Sequence, residues 1–410
     1  MKKYSKILFL VLILTIIAVS TVPASAAEIK PFTQNGKIIS VSHGGNRAEY
    51  PLNSYEAISS AFEIGADCVS LTLQTTKDSV FVISKYNDLG MMHSAYKDVL
   101  ISEKTFQEIQ SVNLVNNSGQ ITSCTLCELK KAVEVAKRYD RILIVDNAWE
   151  NREMLYSFLV DNDALDNVII RTDAKKKEIG DFLRLTDNKV QIIGSYHGNF
   201  IFSAKSYVSA LSDFGCKAVM LGATNPFGVI FNQSMLSSFS ANNYSARAMI
   251  ATYDPDLCGQ RTDTPSVWDD LIDRGYSIIE TNNIRDLAEY LGNLTRTQDE
   301  LKNILSAIDS TDMSACSIKT ASDLQEAKEA IQTELTTLSS FESLSKVKHQ
   351  AMMAFENFSL ESEHYVKRGV LKVTPGKIAA VILVSAGIIA AQVYFYKMRN
   401  KKEENKYRRK

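Results

Sequence analysis

Several residues of this chain combine a reactive side chain with a position on or at the end of a predicted strand. His43 closes the first predicted strand, Asp146 closes a later one, and Ser70 and Thr72 share one face of a third. A histidine there could move a proton or donate to phosphate, and a carboxylate could contact a metal ion or a hydroxyl group. For each of them a structural role is the alternative: packing for His43, hydrogen bonding for Asp146, and filling of space for the two hydroxyl residues.

Two cationic side chains lie near the same predicted strand ends. Arg47 follows His43 in the next loop, and Lys85 comes directly after the second arm of a predicted hairpin. If the fold brought them together, they would form a cationic cradle for a phosphate group. Two solvated surface charges are the alternative interpretation.

The six cysteines do not define a site. Cys124 and Cys127 have a spacing that could form a redox pair or half of a zinc site, but no second cysteine pair and no nearby histidine completes a metal set. The spacing indicates no disulfide framework, and the chain is long enough to bury a core without disulfides. We therefore interpret the cysteines as packing residues.

Short apolar strands alternate with amphipathic helices over residues 37–294. Besides the second hairpin arm at 80–84, eight strands are predicted, at 38–43, 68–75, 141–146, 168–172, 190–195, 218–222, 246–253 and 277–281. This number and length favour an α/β fold of the (β/α)8 TIM-barrel type over an open doubly wound sheet. No glycine-rich dinucleotide loop follows the first strand. In such a barrel, chemistry is located at the C-terminal ends of the strands, where the candidate residues lie.

The composition excludes two broad classes of protein. The chain has 410 residues, of which 45% are hydrophobic, so it is not disordered as a whole. Its 46 basic and 47 acidic residues give a formal net charge of −1. A dedicated nucleic-acid binder normally carries a basic excess, and we expect no nucleic-acid partner.

The N-terminus has the pattern of a secretory signal peptide over residues 1–26. Three lysines among the first six residues precede an apolar core at 7–19, and the small residues 24–26 form a cleavage site. An uncleaved N-terminal anchor is the alternative, although this apolar core is short for a membrane span.

A second apolar segment, residues 378–396, predicts one C-terminal transmembrane helix. It carries no charged residue and is long enough to cross a bilayer core of roughly 30 Å. The tail at 397–410 is rich in lysine and arginine, so the positive-inside rule places it in the cytoplasm and the barrel outside the cell. A buried core helix is the alternative. We expect a single-pass protein of the cell membrane, and the two signals together suit a bacterial cell envelope.

Residues 295–372, between the barrel and the anchor, predict a helical stalk. Strand signals disappear, and apolar residues recur at helical spacing in two stripes, with a possible hairpin around 309–322. A largely disordered spacer is the alternative. The stalk could also bind a protein partner.

Motifs along the predicted barrel resemble the glycerophosphodiester phosphodiesterase family. The segments that carry the similarity are 42–45 (SHGG), 51–54 (PLNS), 65–69 (GADCV), 76–78 (TKD), 124–129 (CTLCEL) and 275–282 (GYSIIETN). Their order and spacing agree with the family along the whole barrel. The resemblance implies a TIM barrel and hydrolysis of a glycerol phosphodiester in lipid metabolism, in which a Ca²⁺ or Mg²⁺ ion bound by carboxylates orients the phosphate and two histidines move protons.

The resemblance also shows where this chain departs from the family. His43 matches the first family histidine, whereas Lys85 stands in place of the second. The metal-binding acids are replaced by Leu52, Ser70 and Thr72, and Asp146 is the one acidic position that is kept. One carboxylate rarely holds Mg²⁺ or Ca²⁺ by itself, so we expect no metal cofactor. Lys85 could supply a fixed positive charge in place of the missing cation.

These departures favour a phosphodiesterase-like protein that is non-catalytic or strongly weakened. Its expected ligand is a phosphodiester or a glycerol phosphate, contacted by His43, Arg47, Lys85 and Asp146. An active phosphoric diester hydrolase with an altered site is one alternative. A cell-surface scaffold or adhesion module is the other.

Overall fold

Eight parallel strands close into a barrel in the computed structural model of the protein, which describes residues 37–197, 200–214, 216, 218–222, 249–251 and 263–367. The strands of these residues are β1 (Ile39–His43), β2 (Cys68–Thr75), β3 (Phe81–Ile83), β4 (Asn113–Val115), β5 (Ile121–Thr125), β6 (Cys127–Glu128), β7 (Ile142–Asp146), β8 (Val168–Thr172), β9 (Gln191–His197), β10 (Ala218–Gly222), β11 (Met249–Ala251) and β12 (Ile278–Thr281). Around the barrel the order is β1-β2-β7-β8-β9-β10-β11-β12, and β12 pairs with β1 to close the ring. The predicted TIM-barrel fold is therefore confirmed.

Most barrel strands are followed by a helix that packs on the outside. The α-helices are α1 (Tyr55–Ile64), α2 (Phe106–Ile109), α3 (Leu129–Tyr139), α4 (Arg152–Asp161), α5 (Lys176–Leu185), α6 (Ile201–Asp213), α7 (Pro265–Asp273), α8 (Ile284–Asp309), α9 (Ile318–Thr336) and α10 (Phe341–Lys367). The outward residues of the strands, such as Val69, Leu143 and Ile170, form one core with these helices. The predicted helix at 233–242 lies outside the described residues.

Inside the barrel, side chains form layers because alternate residues of a strand point to the same side. One buried apolar layer includes Val41, Cys68, Ile144, Ile169, Ile193 and Ile278. Two residues further along each strand, the same inward direction is taken by His43, Ser70, Asp146, Arg171, Ser195 and Glu280. A polar layer therefore covers the apolar core at the C-terminal end of the barrel.

An insertion between β2 and β7 covers one side of that end. β3 pairs antiparallel with β2, and β6 pairs antiparallel with β3, while β4 and β5 form a separate hairpin. The sequence predicted β3 but not the other three strands. These three strands are only two to five residues long, and the 3-10 helices around them carry no periodic apolar pattern.

Within the stalk predicted at 295–372, the described residues up to 367 belong to a three-helix bundle on the side of the barrel. α8 follows β12 and continues beyond the barrel, so the predicted boundary at residue 295 falls inside it. Lys348 of α10 pairs with Glu300 of α8, and Ser317, before α9, donates to Glu361 of α10. At the base of the bundle, Ser340 donates to Asp273 of α7 at 2.9 Å. Bundle and barrel share one apolar core.

Both chain ends lie outside the described residues. These ends include the predicted signal peptide at 1–26, the transmembrane segment at 378–396 and the basic tail at 397–410. Within the described part of the chain, no helix has the length and apolar character that a membrane span requires.

Candidate functional site

The polar layer at the C-terminal end of the barrel is organised around Arg171. This arginine is the inward-facing residue near the end of β8, and its side chain is only 6% exposed. Its Nε and Nη2 donate to the two carboxylate oxygens of Asp146 on β7 at 2.7 and 2.6 Å. Its Nη1 donates to Oε2 of Glu280 on β12 at 2.7 Å. One guanidinium group therefore joins two carboxylates from different strands.

Glu280 extends this network to the first two strands of the barrel. Its Oε1 accepts a short hydrogen bond from the Ser70 hydroxyl of β2. The Nδ1 atom of His43 on β1 lies 3.3 Å from the same oxygen and 3.3 Å from Ser70 Oγ. His43, Ser70, Glu280, Arg171 and Asp146 thus form one connected network around the barrel axis.

The network determines the charge of its buried members. Burial opposes ionisation of Glu280, but the positive charge of Arg171 and the hydrogen bond from His43 hold the pKa of this carboxyl well below its usual range. Burial also disfavours the charged form of Arg171, yet the carboxylates of Asp146 and Glu280 raise the pKa of the guanidinium well above its ordinary value. Both groups are therefore charged at neutral pH.

Arg47 and Lys85 lie at the rim of the barrel mouth. Arg47 Nη1 donates to the side chain of Asn282, directly after β12, at 2.8 Å. Lys85 follows β3, and its Nζ atom lies 5.7 Å from the centre of the Tyr86 ring. The preceding residue, Ser84, donates its backbone N–H to the carbonyl of Thr72 at 2.9 Å, which fixes this segment at the end of β2.

Gly44 and Leu52 are coupled by packing. Gly44 has a φ of 68°, in the left-handed region that favours glycine. A Cβ atom at this position would lie 2.0 Å from Cδ1 of Leu52. The apolar Leu52 and the missing side chain at Gly44 therefore fit each other, and neither brings charge to the mouth. Thr72 lies beside Asp146 in the β2–β7 pairing.

The described residues at the mouth do not fit a Ca²⁺ or Mg²⁺ ion. Such ions need several oxygen ligands with available lone pairs, mostly from carboxylates. Both oxygens of Asp146 and both oxygens of Glu280 already accept hydrogen bonds from Arg171 or Ser70. Over the described residues, no group of three or more histidine, cysteine or acidic side chains is arranged to hold a metal ion.

A cavity of about 840 Å³ opens next to the polar layer. It lies between the ends of β8 and β9 and the first turns of α5 and α6, and its lining includes Lys175, Lys176, Lys177, Ser195, His197 and Ser206. Lys176 donates to the hydroxyl of Ser206 at 3.1 Å across the cavity. Ser195 belongs to both the cavity and the inward layer. One carboxylate, that of Asp173, also lines the cavity, but the ammonium, imidazole and hydroxyl groups outnumber it and suit an anionic ligand.

The cysteines in the described residues carry free thiols. Cys124 and Cys127 are buried, and burial raises the pKa of Cys127 to about 12. A thiol that stays protonated at neutral pH is a poor nucleophile and a poor metal ligand. Cys258 lies outside the described residues.

Sequence reasoning missed Arg171 and Glu280, the two residues that hold the network together. Each is a charged residue in an otherwise apolar strand, two positions after the inward-facing Ile169 or Ile278. A charged residue at an inward position of a barrel strand needs a buried partner. A charged residue at an inward position was therefore the signal in the sequence that could have found both.

The barrel is similar to known phosphodiesterases. Residues 43–216 match the model of the glycerophosphoryl diester phosphodiesterase family. A solved glycerophosphoryl diester phosphodiesterase from Parabacteroides distasonis is 20% identical, matches 65% of this chain and 91% of its own, and has a TM-score of 0.52. A glycerophosphodiester phosphodiesterase from Thermotoga maritima is 18% identical over 62% and 97%, with a TM-score of 0.45. A phosphodiesterase from Oleispira antarctica, in complex with the product sn-glycerol-3-phosphate, is 13% identical over 62% and 98%, with a TM-score of 0.46. The Parabacteroides structure supports the barrel fold.

Proposed function

Because residues 43–216 match the model of the glycerophosphoryl diester phosphodiesterase family, we propose that the protein binds a phosphodiester or glycerol-phosphate ligand without efficient hydrolysis. The ligand would lie at the C-terminal mouth of the barrel. His43 would donate to phosphate there, with Arg47 and Lys85 at the rim.

The engagement of both mouth carboxylates by Arg171 is the observation that carries this proposal. Hydrolysis in the family pattern needs carboxylates that are available to a divalent cation. Here Asp146 and Glu280 are both paired with the guanidinium, and Leu52, Ser70 and Thr72 contribute no negative charge. The structure therefore gives support to ligand binding that it does not give to metal-assisted hydrolysis.

The cationic side chains around the cavity beside the polar layer support an anionic ligand. Lys175, Lys176 and Lys177 line the cavity beside the polar layer, together with His197. Lys175 and Lys177 also pair with acidic residues of α5, at 3.9 and 2.7 Å, but such exposed pairs are weak and can be exchanged for a ligand phosphate.

A second candidate function is slow hydrolysis at an altered site. The pairing of His43 with Glu280 at 3.3 Å favours it, because a carboxylate that orients an imidazole is a common arrangement in acid–base catalysis. In that case His43 would move the proton, and Arg171 or the rim cations would stabilise the phosphate charge.

The location of the protein is part of the proposal. Export by the signal peptide at 1–26 and anchoring by the helix at 378–396 would place the barrel outside the cell membrane and the basic tail in the cytoplasm. The helical bundle would then connect the barrel to the anchor and could present a surface to a protein partner. This topology is tested with a cysteine introduced at residue 134 or at residue 404 and a thiol reagent that does not cross the membrane of intact cells. We expect the reagent to label the cysteine at 134 and not the cysteine at 404.

The functional test uses the full-length protein purified in detergent. Hydrolysis of glycerophosphocholine and of a chromogenic phosphodiester is followed with Ca²⁺, with Mg²⁺ and with chelator, and binding of sn-glycerol-3-phosphate is measured by calorimetry. We expect saturable binding that His43→Ala weakens, and no turnover in any of the conditions. Turnover that depends on His43 would support the altered-site hydrolase instead. Absence of both binding and turnover would contradict both functions and favour a scaffold.

A further inference from the structure

Arg171 lies where the mouth of the barrel gathers negative charge. β8 and β12 stand four strands apart in the ring of eight, so they face each other across the barrel. The guanidinium of Arg171 therefore spans the interior when it reaches from β8 to Glu280 on β12. On its own side it also contacts Asp146 of the neighbouring strand.

We infer that Arg171 is the resident cation of this barrel and takes over permanently the charge-neutralising role for which family members use a divalent metal ion. The native protein therefore neither needs nor binds a divalent cation at the mouth. The inference concerns the same site as the proposed function, but it does not rest on ligand binding.

The hydrogen bonds of the carboxylates carry this inference. Asp146 uses both oxygens in a two-point pair with the guanidinium, at 2.7 and 2.6 Å. Glu280 gives Oε2 to Arg171 at 2.7 Å and Oε1 to the Ser70 hydroxyl, with a longer contact of 3.4 Å to Arg171 Nη2. Each of the four oxygens accepts at least one hydrogen bond, so a metal ion held between the two acids would have to displace the arginine.

Burial explains why a cation must be present. Two negative charges share one guanidinium, and one of them, Glu280, is only 1% exposed, whereas Asp146 is 28% exposed. A buried carboxylate without a counter-ion is strongly unfavourable. A planar guanidinium makes a two-point pair with one carboxylate while it contacts the other, a geometry that the ammonium group of a lysine does not reproduce. Lys85, which could supply a fixed charge according to the sequence, lies at the rim, and Arg171 lies between the two acids.

The experiment measures the melting temperature of the full-length protein in detergent. The native protein, Arg171→Lys and Arg171→Ala are compared in chelator, in Ca²⁺, in Mg²⁺ and in millimolar guanidinium chloride. We expect the native melting temperature to be the same in chelator and in either metal. We expect the order native, Arg171→Lys, Arg171→Ala from highest to lowest, because lysine keeps the charge but loses the two-point geometry.

Free guanidinium ion tests directly whether a cation is needed between the two carboxylates. In Arg171→Ala the free ion can enter the space between the two carboxylates, so it should raise the melting temperature by a few degrees. The matched control is Arg184→Ala, which removes an exposed arginine paired with Asp181; guanidinium should not raise its melting temperature.

Three outcomes would overturn the inference. They are a saturable rise of the native melting temperature with Ca²⁺ or Mg²⁺, a fall on chelation, and an Arg171→Ala protein at least as stable as Arg171→Lys. If Arg171→Ala does not fold, two results still test the inference. One is whether Arg171→Lys folds, and the other is whether Ca²⁺, Mg²⁺ or chelator changes the melting temperature of the native protein. The proposed function fails by different measurements, namely turnover or missing ligand binding, so the two failures are distinguishable.

Discussion

Each end of the barrel carries a buried acid that is shared between several partners. The two ends differ in how deeply the cations that pair with this acid are buried. At the N-terminal end, Asp67 precedes β2 and contacts Lys37, Ser40 and Arg141. The two cations there are 40% and 34% exposed. At the C-terminal end, Glu280 and Arg171 are 1% and 6% exposed.

This difference separates stability from function. In TIM barrels the N-terminal face contributes stability, while the C-terminal face holds the chemistry. The Asp67 cluster ties strand beginnings together through partners that water can reach. The Arg171 network places buried charges beside His43 and an open cavity, and buried charges are retained only with complete pairing.

The largest expected effect is the removal of the buried cation. Arg171→Met leaves Glu280 and Asp146 without a counter-ion and should lower the free energy of unfolding by about 3–5 kcal/mol at pH 7. The double variant Arg171→Met/Glu280→Met, which also removes the more buried acid, should lose less than the single variant. Urea unfolding followed by circular dichroism measures both. A single variant as stable as the double variant would show that the pair is not a buried charge network.

The dependence of the free energy of unfolding on pH, on the acid side of neutrality, tests the charge of Glu280. Its pKa is lower in the folded protein than the unfolded value of about 4.3, so its stabilisation is present above that pH and is lost as the pH falls below it. Glu280→Gln should cost about 2–3 kcal/mol at pH 7, and the difference from the native protein should shrink on acidification.

A control variant on the outside of the barrel completes this test. Glu134→Gln, on the exposed face of α3, should leave the pH dependence of the melting temperature close to the native curve. A Glu280→Gln curve parallel to the native curve between pH 3 and pH 7, in steps of roughly half a unit, would contradict the assigned charge.

Asp67→Ala tests the other end of the barrel. Loss of the carboxylate removes two hydrogen bonds from Ser40 and leaves its buried backbone N–H unpaired, which should cost about 1–3 kcal/mol. Affinity for sn-glycerol-3-phosphate should not change, because the cluster lies at the end opposite the mouth. A loss of affinity at unchanged melting temperature would break the proposed division between the two ends.

His43→Gln should have the opposite pattern to Asp67→Ala. The imidazole is 17% exposed and makes contacts at 3.3 Å, so the change in stability should stay within about 1 kcal/mol. Calorimetry should show roughly tenfold weaker binding, since a donor to a charged phosphate group is lost.

Lys37→Ala should have the smallest effect. Its ion pair with Asp67 is short, at 2.6 Å, but the lysine is 40% exposed, and pairs of this kind contribute about 0–1 kcal/mol. Chemical denaturation of this variant beside Arg171→Met compares an exposed cation with a buried one directly. A loss as large as that of Arg171→Met would show that burial does not control the difference.

Most barrel elements could be predicted because their residues follow local rules. The predicted strands at 68–75, 168–172 and 218–222 have the observed bounds, since each is a short run of apolar or alternating residues that closes at a turn. The strands β4, β5 and β6 were missed because they are held by pairing between segments rather than by their own pattern.

The candidate site was predictable in part. His43, Ser70 and Asp146 were named from the sequence, and the structure brings them into one network. Arg47 and Lys85 were named as well, and they lie at the rim. Arg171 and Glu280 are 109 residues apart in sequence, so no local spacing connects them.

The sequence by itself determined the period of each strand, and with it the barrel and its inward-facing positions. Only the tertiary structure decided which charges meet. Closure of the ring brings β8 opposite β12, so that a guanidinium and a carboxylate distant in sequence share one buried space. Pairing across a barrel depends on which strands face each other and on the exclusion of water between them, and both arise when the ring closes.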